Sequence, residues 1–262
     1  MRWILVTGRD VRLEALDFGG EGRSVLLLHG LAGTAVEWEE TAAWLSATHH
    51  VVALDQRGHG RSERRPTNVS REAFVADALA AIDELALAPA VLIGQSLGGH
   101  TAFLVATARP DLVGGLVIAE ASPAEAKPGQ PEAIRKLLSA WPAFPSRAAA
   151  QEFFGGETPA ARAWARNLDE TQNGLVPAFE VDVMVDAIAA AADARWNEWR
   201  QIQAPTVIVR GERGDLSQEE AAEMTRALPT AKLVTLPGGH DVHLDEPEEW
   251  RAAVEGFLAG LS

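Results

Sequence analysis

Ser96 sits between two glycines in Gly94-Gln95-Ser96-Leu97-Gly98. An apolar run, Ala90-Val91-Leu92-Ile93, precedes it, and a helix-forming stretch, Gly99-His100-Thr101-Ala102-Phe103-Leu104-Val105-Ala106, follows. In a chain with 23 glycines the pattern is weak by itself; its position between strand and helix carries the signal. Such a turn strains the serine backbone and lifts its hydroxyl clear of the sheet. Side chains in place of the flanking glycines would collide with the adjoining strand and helix. The chemistry this predicts is nucleophilic. A serine hydroxyl attacks only when a base takes its proton, and an acid must then orient that base and stabilise its charged form. Leu97 would begin the helix, so its N–H is free to face a developing oxyanion, aided by the helix dipole.

Around this turn the sequence predicts alternating strands and helices. Ile4-Leu5-Val6 and the alternating stretch 11–16 read as an antiparallel pair. Val25-Leu26-Leu27-Leu28, Val51-Val52-Ala53-Leu54, residues 90–93, 116–119, 205–209 and 233–236 read as strands covered on both faces. Helices are expected over 70–87, from the serine turn to Arg109-Pro110, and over 217–228 and 247–258. The fold class is α/β: a mostly parallel eight-stranded sheet with helices on both faces. Residues 122–203 break the alternation. They read as helical throughout, carry Trp141, Trp164, Trp196 and Trp199, and are expected to form a lid between the sixth and seventh strands. Residues 1–121 and 204–262 then make the core domain and 122–203 the cap.

Composition excludes several alternatives. The chain has no cysteine, hence no disulfide, thiolate metal site or cysteine nucleophile. Its 23 basic and 37 acidic residues give a net charge of −14, which disfavours nucleic acid and anionic membranes as partners. No secretory leader is legible at Met1-Arg2-Trp3-Ile4-Leu5-Val6, and no apolar run reaches membrane-spanning length. The expectation is a cytoplasmic monomer or homodimer acting on a small molecule.

Four segments together resemble the α/β-hydrolase family: Leu28-His29-Gly30-Leu31-Ala32-Gly33, Asp55-Gln56-Arg57-Gly58-His59-Gly60-Arg61-Ser62, the Ser96 turn, and Leu236-Pro237-Gly238-Gly239-His240. Their order and spacing match the family over nearly the whole chain, the lid least. The resemblance implies the order Ser, acid, His, with His240 as base and His243 as its rival. It implies an acid in the loop after strand 205–209, where Asp215 stands one residue beyond the usual spacing. Glu120 is the alternative, because some family lactonases place a Glu at the end of the preceding strand; Glu212 comes third. Leu31 resembles the second oxyanion donor beside Leu97. His29 and Arg57 are read as structural, His49, His50 and His59 as surface or loop residues, and His100 as packed or solvated.

The implied reaction is hydrolysis of a carboxylic ester or lactone through an acyl-enzyme on Ser96, with no metal and no cofactor. Ser96 argues against the family's dehalogenases and epoxide hydrolases, which use an Asp nucleophile, and the chain has no tyrosine for the latter's lid. A C–C hydrolase of the meta-cleavage type keeps the same triad and remains an alternative, as does a small-molecule receptor with weak turnover. Trp38, Trp141, Trp164, Phe144 and Phe179 are the expected wall of an apolar substrate pocket. The competing expectation is that the cap aromatics fill the cap's own core and that Trp38 simply packs.

Overall fold

The computed structural model describes residues 1–261. Ten strands form, β1 (Arg2–Thr7), β2 (Arg12–Gly19), β3 (Arg23–Leu28), β4 (His49–Asp55), β5 (Ala90–Gln95), β6 (Val113–Ala119), β7 (Leu168–Thr171), β8 (Gly174–Pro177), β9 (Thr206–Gly211) and β10 (Lys232–Leu236). Eight of them make one sheet in the order β1-β2-β4-β3-β5-β6-β9-β10. β1 and β2 pair antiparallel, β2 runs antiparallel to β4, and every later neighbour is parallel. The expected architecture is therefore the observed one.

The pleat divides each apolar run between two cores. Leu26, Leu28, Val52 and Leu54 face one cluster with Ala78, Ile82 and Phe103, from helices Arg71–Glu84 and Leu97–Ala108. Val25, Leu27, Val51 and Ala53 face the other, with Trp38, Leu45, Trp250 and Val254. Trp250 and Val254 come from helix Pro247–Leu258, and Leu45 from helix Glu39–Leu45. Period-two burial on both faces is why these strands read as unbroken hydrophobic runs. Each fully buried Leu or Val contributes roughly 1.5–3 kcal/mol by leaving water.

Helix ends follow the sequence. Ser70 caps Arg71–Glu84 by accepting from the Ala73 N–H, and Ser217 with Glu220 forms a capping box at the head of Gln218–Ala227. Helix Glu39–Leu45 and the 3-10 turn Ala35–Trp38 before it were not expected.

Between Ala119 and Thr206 the chain leaves the sheet. It forms helices Gln130–Ser139, Arg147–Phe153, Pro159–Arg166, Val181–Ala189 and Trp196–Trp199, with a hairpin of β7 and β8. The hairpin corrects the all-helical expectation. Its strands are four residues each, Leu168-Asp169-Glu170-Thr171 and Gly174-Leu175-Val176-Pro177, too short for a periodic signal; Gln172-Asn173 make the turn, and Gly174 opposite Thr171 takes φ 105°. Phe144 bonds through its backbone to Leu175 of β8, extending this small sheet. Trp199 also departs from expectation: it packs edge-on against Phe103 in the main core and donates its indole N–H to the Met224 carbonyl. No helix among the described residues is long and apolar enough to cross a membrane.

Candidate active site

β5 lies near the middle of the sheet and is buried along its whole length. It ends at Gln95, and helix Leu97–Ala108 begins two residues on. Ser96 is left between them at φ 48°, ψ −115°, a conformation that costs about 1–3 kcal/mol and persists only where its surroundings impose it. A Cβ on Gly94 would run into the Gly98 backbone, and one on Gly98 into the Leu28 carbonyl. Both positions must be glycine for strand and helix to approach this closely. The Ser96 N–H donates to the Ala119 carbonyl of the next strand at 2.8 Å.

The neighbouring strand ends in a second strained residue. Glu120 follows β6 at φ 50°. This turns its carboxylate inward, where it accepts from the N–H groups of Gly211 (2.7 Å), Asp215 (2.7 Å) and Leu216 (3.1 Å). Its side chain is fully buried. His240, in the loop after β10, places Nδ1 3.3 Å from Glu120 Oε2 and 3.4 Å from Asp215 Oδ2. The Asp215 carboxylate is 80% exposed. Both sequence-derived acids thus reach the same imidazole nitrogen, one fixed from inside the protein and one from solvent. Burial by itself would lower the His240 pKa. The hydrogen bond that His240 donates to Glu120 and the charges of Asp241, Asp215 and Glu120 outweigh it and hold the value above the ordinary 6.5. Gln95 fixes the same loop by donating to the His240 carbonyl at 2.9 Å.

Ser96, His240, Glu120, Asp215, Leu31 and Leu97 all line one cavity of about 600 Å³. Leu97 is the first residue of its helix, so its N–H has no carbonyl one turn back to bond. Trp141 and Trp164 line the same cavity from the segment outside the sheet. Trp164 donates its indole N–H to Asp241 Oδ2 at 2.8 Å, joining that segment to the residue after His240.

Three of the expected wall residues lie elsewhere. Trp38 is fully buried in the sheet's core, its ring 4.4 Å from His243 and 6.3 Å from Trp250. Phe144 packs in an apolar cluster with Ala150, Ala165, Leu168 and Leu175. Phe179 lies behind Trp141, with ring centroids 5.5 Å apart. The competing expectation, packing, therefore holds for all three. Trp38 ends the 3-10 turn Ala35–Trp38, an element the sequence did not disclose, and is buried there.

The other histidines separate by burial. His29 accepts from the Gln56 N–H at Nε2 (3.0 Å), so Nδ1 donates to the Gly30 carbonyl (2.7 Å); its role is structural. Arg57 is structural too, holding Asp77 through Nε and Nη2 at 2.7 and 2.8 Å and Asp10 at 2.9 Å. His59 corrects the surface reading: it is fully buried, and burial pulls its pKa down to about 4. His243 is no rival base, because it is buried against Trp38 with Nε2 3.3 Å from Glu37 Oε1. Burial lowers its pKa to about 4 and raises that of Glu37 to about 8, favouring the neutral form of both groups. Glu37 also accepts from Asn167 Nδ2 at 3.3 Å, tying the loop after Leu31 to the outer segment. His100 packs as expected but also lines the cavity. Gln95 and Asp241 were missed. Nothing in their type or spacing distinguishes them before the fold brings them to His240.

The chain belongs to the alpha/beta hydrolase family, whose sequence profile matches residues 25–253. Among its relatives, a sn-1-specific diacylglycerol lipase of Mus musculus is 30% identical over 263 residues, covering 90% of this chain and 81% of that protein. A 2-(acetamidomethylene)succinate hydrolase of Mesorhizobium japonicum is 26% identical over 247 residues, covering 91% and 89%. The crystal structure of an E-2-(acetamidomethylene)succinate hydrolase superposes with a TM-score of 0.88 at 25% identity, covering 99% of this chain and all of that one.

Proposed function

We propose that this protein is a serine hydrolase that cleaves carboxylic esters, lactones among them, through an acyl-enzyme on Ser96. The observation that carries the reading is the convergence on one cavity of a strained serine and a histidine whose Nδ1 faces two carboxylates. Relatives whose names are lipase and esterase support ester cleavage. His240 takes the Ser96 proton as the hydroxyl attacks the acyl carbonyl. The N–H groups of Leu31 and Leu97 receive the oxyanion, and His240 then protonates the leaving alcohol. Water activated by His240 releases the acid.

Glu120 is the principal acid. Its carboxylate is held by three backbone N–H groups, so orienting it costs nothing at the moment of reaction, and burial strengthens its attraction for the imidazolium. Asp215 adds a weaker, solvent-screened attraction. The segment 122–203 acts as a cap over Ser96, with Trp141 and Trp164 forming the apolar part of the substrate wall. The test is a panel of p-nitrophenyl esters of graded acyl length and several lactones, assayed with the wild type and Ser96→Ala. Turnover that disappears in the variant supports the reading. Turnover retained by Ser96→Ala removes it.

A further inference from the structure

One turn beyond the nucleophile lies a polar pair that ester hydrolysis does not use. His100 follows Ser96 by four residues, and its N–H donates to the Ser96 carbonyl at 2.9 Å. It therefore shares the nucleophile's face of the helix. His100 is 6% exposed and lines the cavity, in an otherwise apolar corner formed by Leu31, Leu97, Ile188 and Ala191. Its Nδ1 is 3.2 Å from Arg71 Nε. A guanidinium only donates, so Nδ1 must be the acceptor and Nε2 must carry the proton. Among the described residues that Nε2 has no hydrogen-bond partner.

Arg71 behind it is only partly satisfied. It is 1% exposed, lies with its guanidinium 4.6 Å over the Phe74 ring, and donates to His100, to the Leu97 carbonyl and to Thr101 Oγ1. No carboxylate accepts a hydrogen bond from it among the described residues, and its Nη1 is unpartnered. Glu72 acts on it only as a nearby charge, and Arg195 opposes it. A buried guanidinium without an acidic hydrogen-bond partner is costly, and a buried imidazole N–H without an acceptor adds to that cost. An anionic oxygen arriving on His100 Nε2 would give that N–H its acceptor and set a negative charge across the imidazole from the guanidinium, whose Nη1 stays unpartnered.

We propose that His100, backed by Arg71, is a carboxylate subsite, and that the preferred substrates are esters whose acyl or alcohol part carries a second, free carboxylate a few carbons from the scissile bond. The proposal rests on the ester-hydrolase reading of the same cavity. His100 Nε2 donates to the substrate carboxylate, and the positive charge of Arg71 stabilises it through the imidazole. A hydrogen bond to a charged group of this kind favours the acidic ester by roughly tenfold to a hundredfold over its neutral isostere.

The test compares p-nitrophenyl hemiglutarate with p-nitrophenyl valerate, which match in length and differ in the terminal carboxylate. The wild type should show a kcat/KM ratio of about ten or more in favour of the hemiglutarate. In His100→Phe the ratio should fall toward one. In His100→Gln, whose amide nitrogen falls near the Nε2 position, it should be partly restored. Arg71→Met should lower the ratio as well. If that variant fails to fold, the two His100 variants decide. A wild-type ratio of one or less, or one that His100→Phe leaves unchanged, overturns the subsite while ester hydrolysis stands. Should neither ester turn over, ester hydrolysis has failed, and binding decides the subsite alone. Ser96→Ala should then bind monomethyl glutarate at least tenfold more tightly than methyl valerate, read by tryptophan fluorescence, and equal binding overturns it.

Discussion

Replacing Glu120 by Gln is isosteric but cannot be neutral. The two carboxylate oxygens accept from Gly211 N–H on one side, and from Asp215 N–H and Leu216 N–H on the other, where His240 Nδ1 also lies. An amide has one acceptor oxygen. Either orientation sets its NH2 against a backbone N–H, and one of the two also sets it against His240. The lost hydrogen bonds should cost about 1–3 kcal/mol of stability, visible in thermal unfolding. Catalysis should suffer more, because the buried charge facing the imidazolium is gone. Complete loss of the acid from a triad costs about 10⁴-fold in kcat. Asp215 remains 3.4 Å from Nδ1, so the expected loss is on the order of 10²–10³-fold in kcat/KM. Asp215→Asn removes a largely exposed carboxylate worth about 1 kcal/mol or less, hence a loss of roughly fivefold. The pH profile gives a second readout. His240 must be neutral to act as base, so kcat/KM rises with pH through a pKa held above 6.5, and Glu120→Gln should move that limb to lower pH. The assay is p-nitrophenyl butyrate hydrolysis from pH 5 to 9. A loss above a hundredfold for Asp215→Asn, with less than tenfold for Glu120→Gln, would refute the argument that burial selects the acid.

Two further outcomes follow from buried contacts. Burial raises the Glu37 carboxyl from 4.5 to about 8, so the folded chain keeps a proton that the unfolded chain releases; stability should fall as pH rises between those values, by on the order of a few kcal/mol. Glu37→Gln should abolish that part of the slope, measured as Tm against pH, and an unchanged slope would show that the group is not the source. Trp164→Phe removes the indole hydrogen bond to Asp241 and should raise KM several-fold with a smaller change in kcat, since it loosens the contact between the outer segment and the His240 loop. An unaltered KM would mean that this contact does not shape the substrate wall.

The eight-stranded sheet was legible because its inner strands are apolar on both faces and its turns carry capping residues such as Ser70 and Ser217. The β7–β8 hairpin was not, since four residues per strand leave no period to count. Ser96 and His240 were visible through local patterns, a glycine-flanked turn and a Pro-Gly-Gly-His loop. The choice of acid was not, because it depends on how deeply each carboxylate is buried. That in turn depends on Glu120 adopting a positive φ beneath the loop from Gly211 to Leu216. The same holds for the aromatics. Trp141 and Trp164 reach the cavity while Trp38, Phe144 and Phe179 do not, and composition cannot separate the two sets because both are apolar rings on neighbouring segments.

The central claim, a serine nucleophile at position 96, is tested most directly by reaction with diethyl p-nitrophenyl phosphate. The account predicts release of one p-nitrophenolate per chain, a single diethylphosphoryl group on the peptide containing Ser96, and esterase activity falling in proportion to that label. Activity that persists with Ser96 fully labelled, or that is lost with the label on another residue, would contradict it.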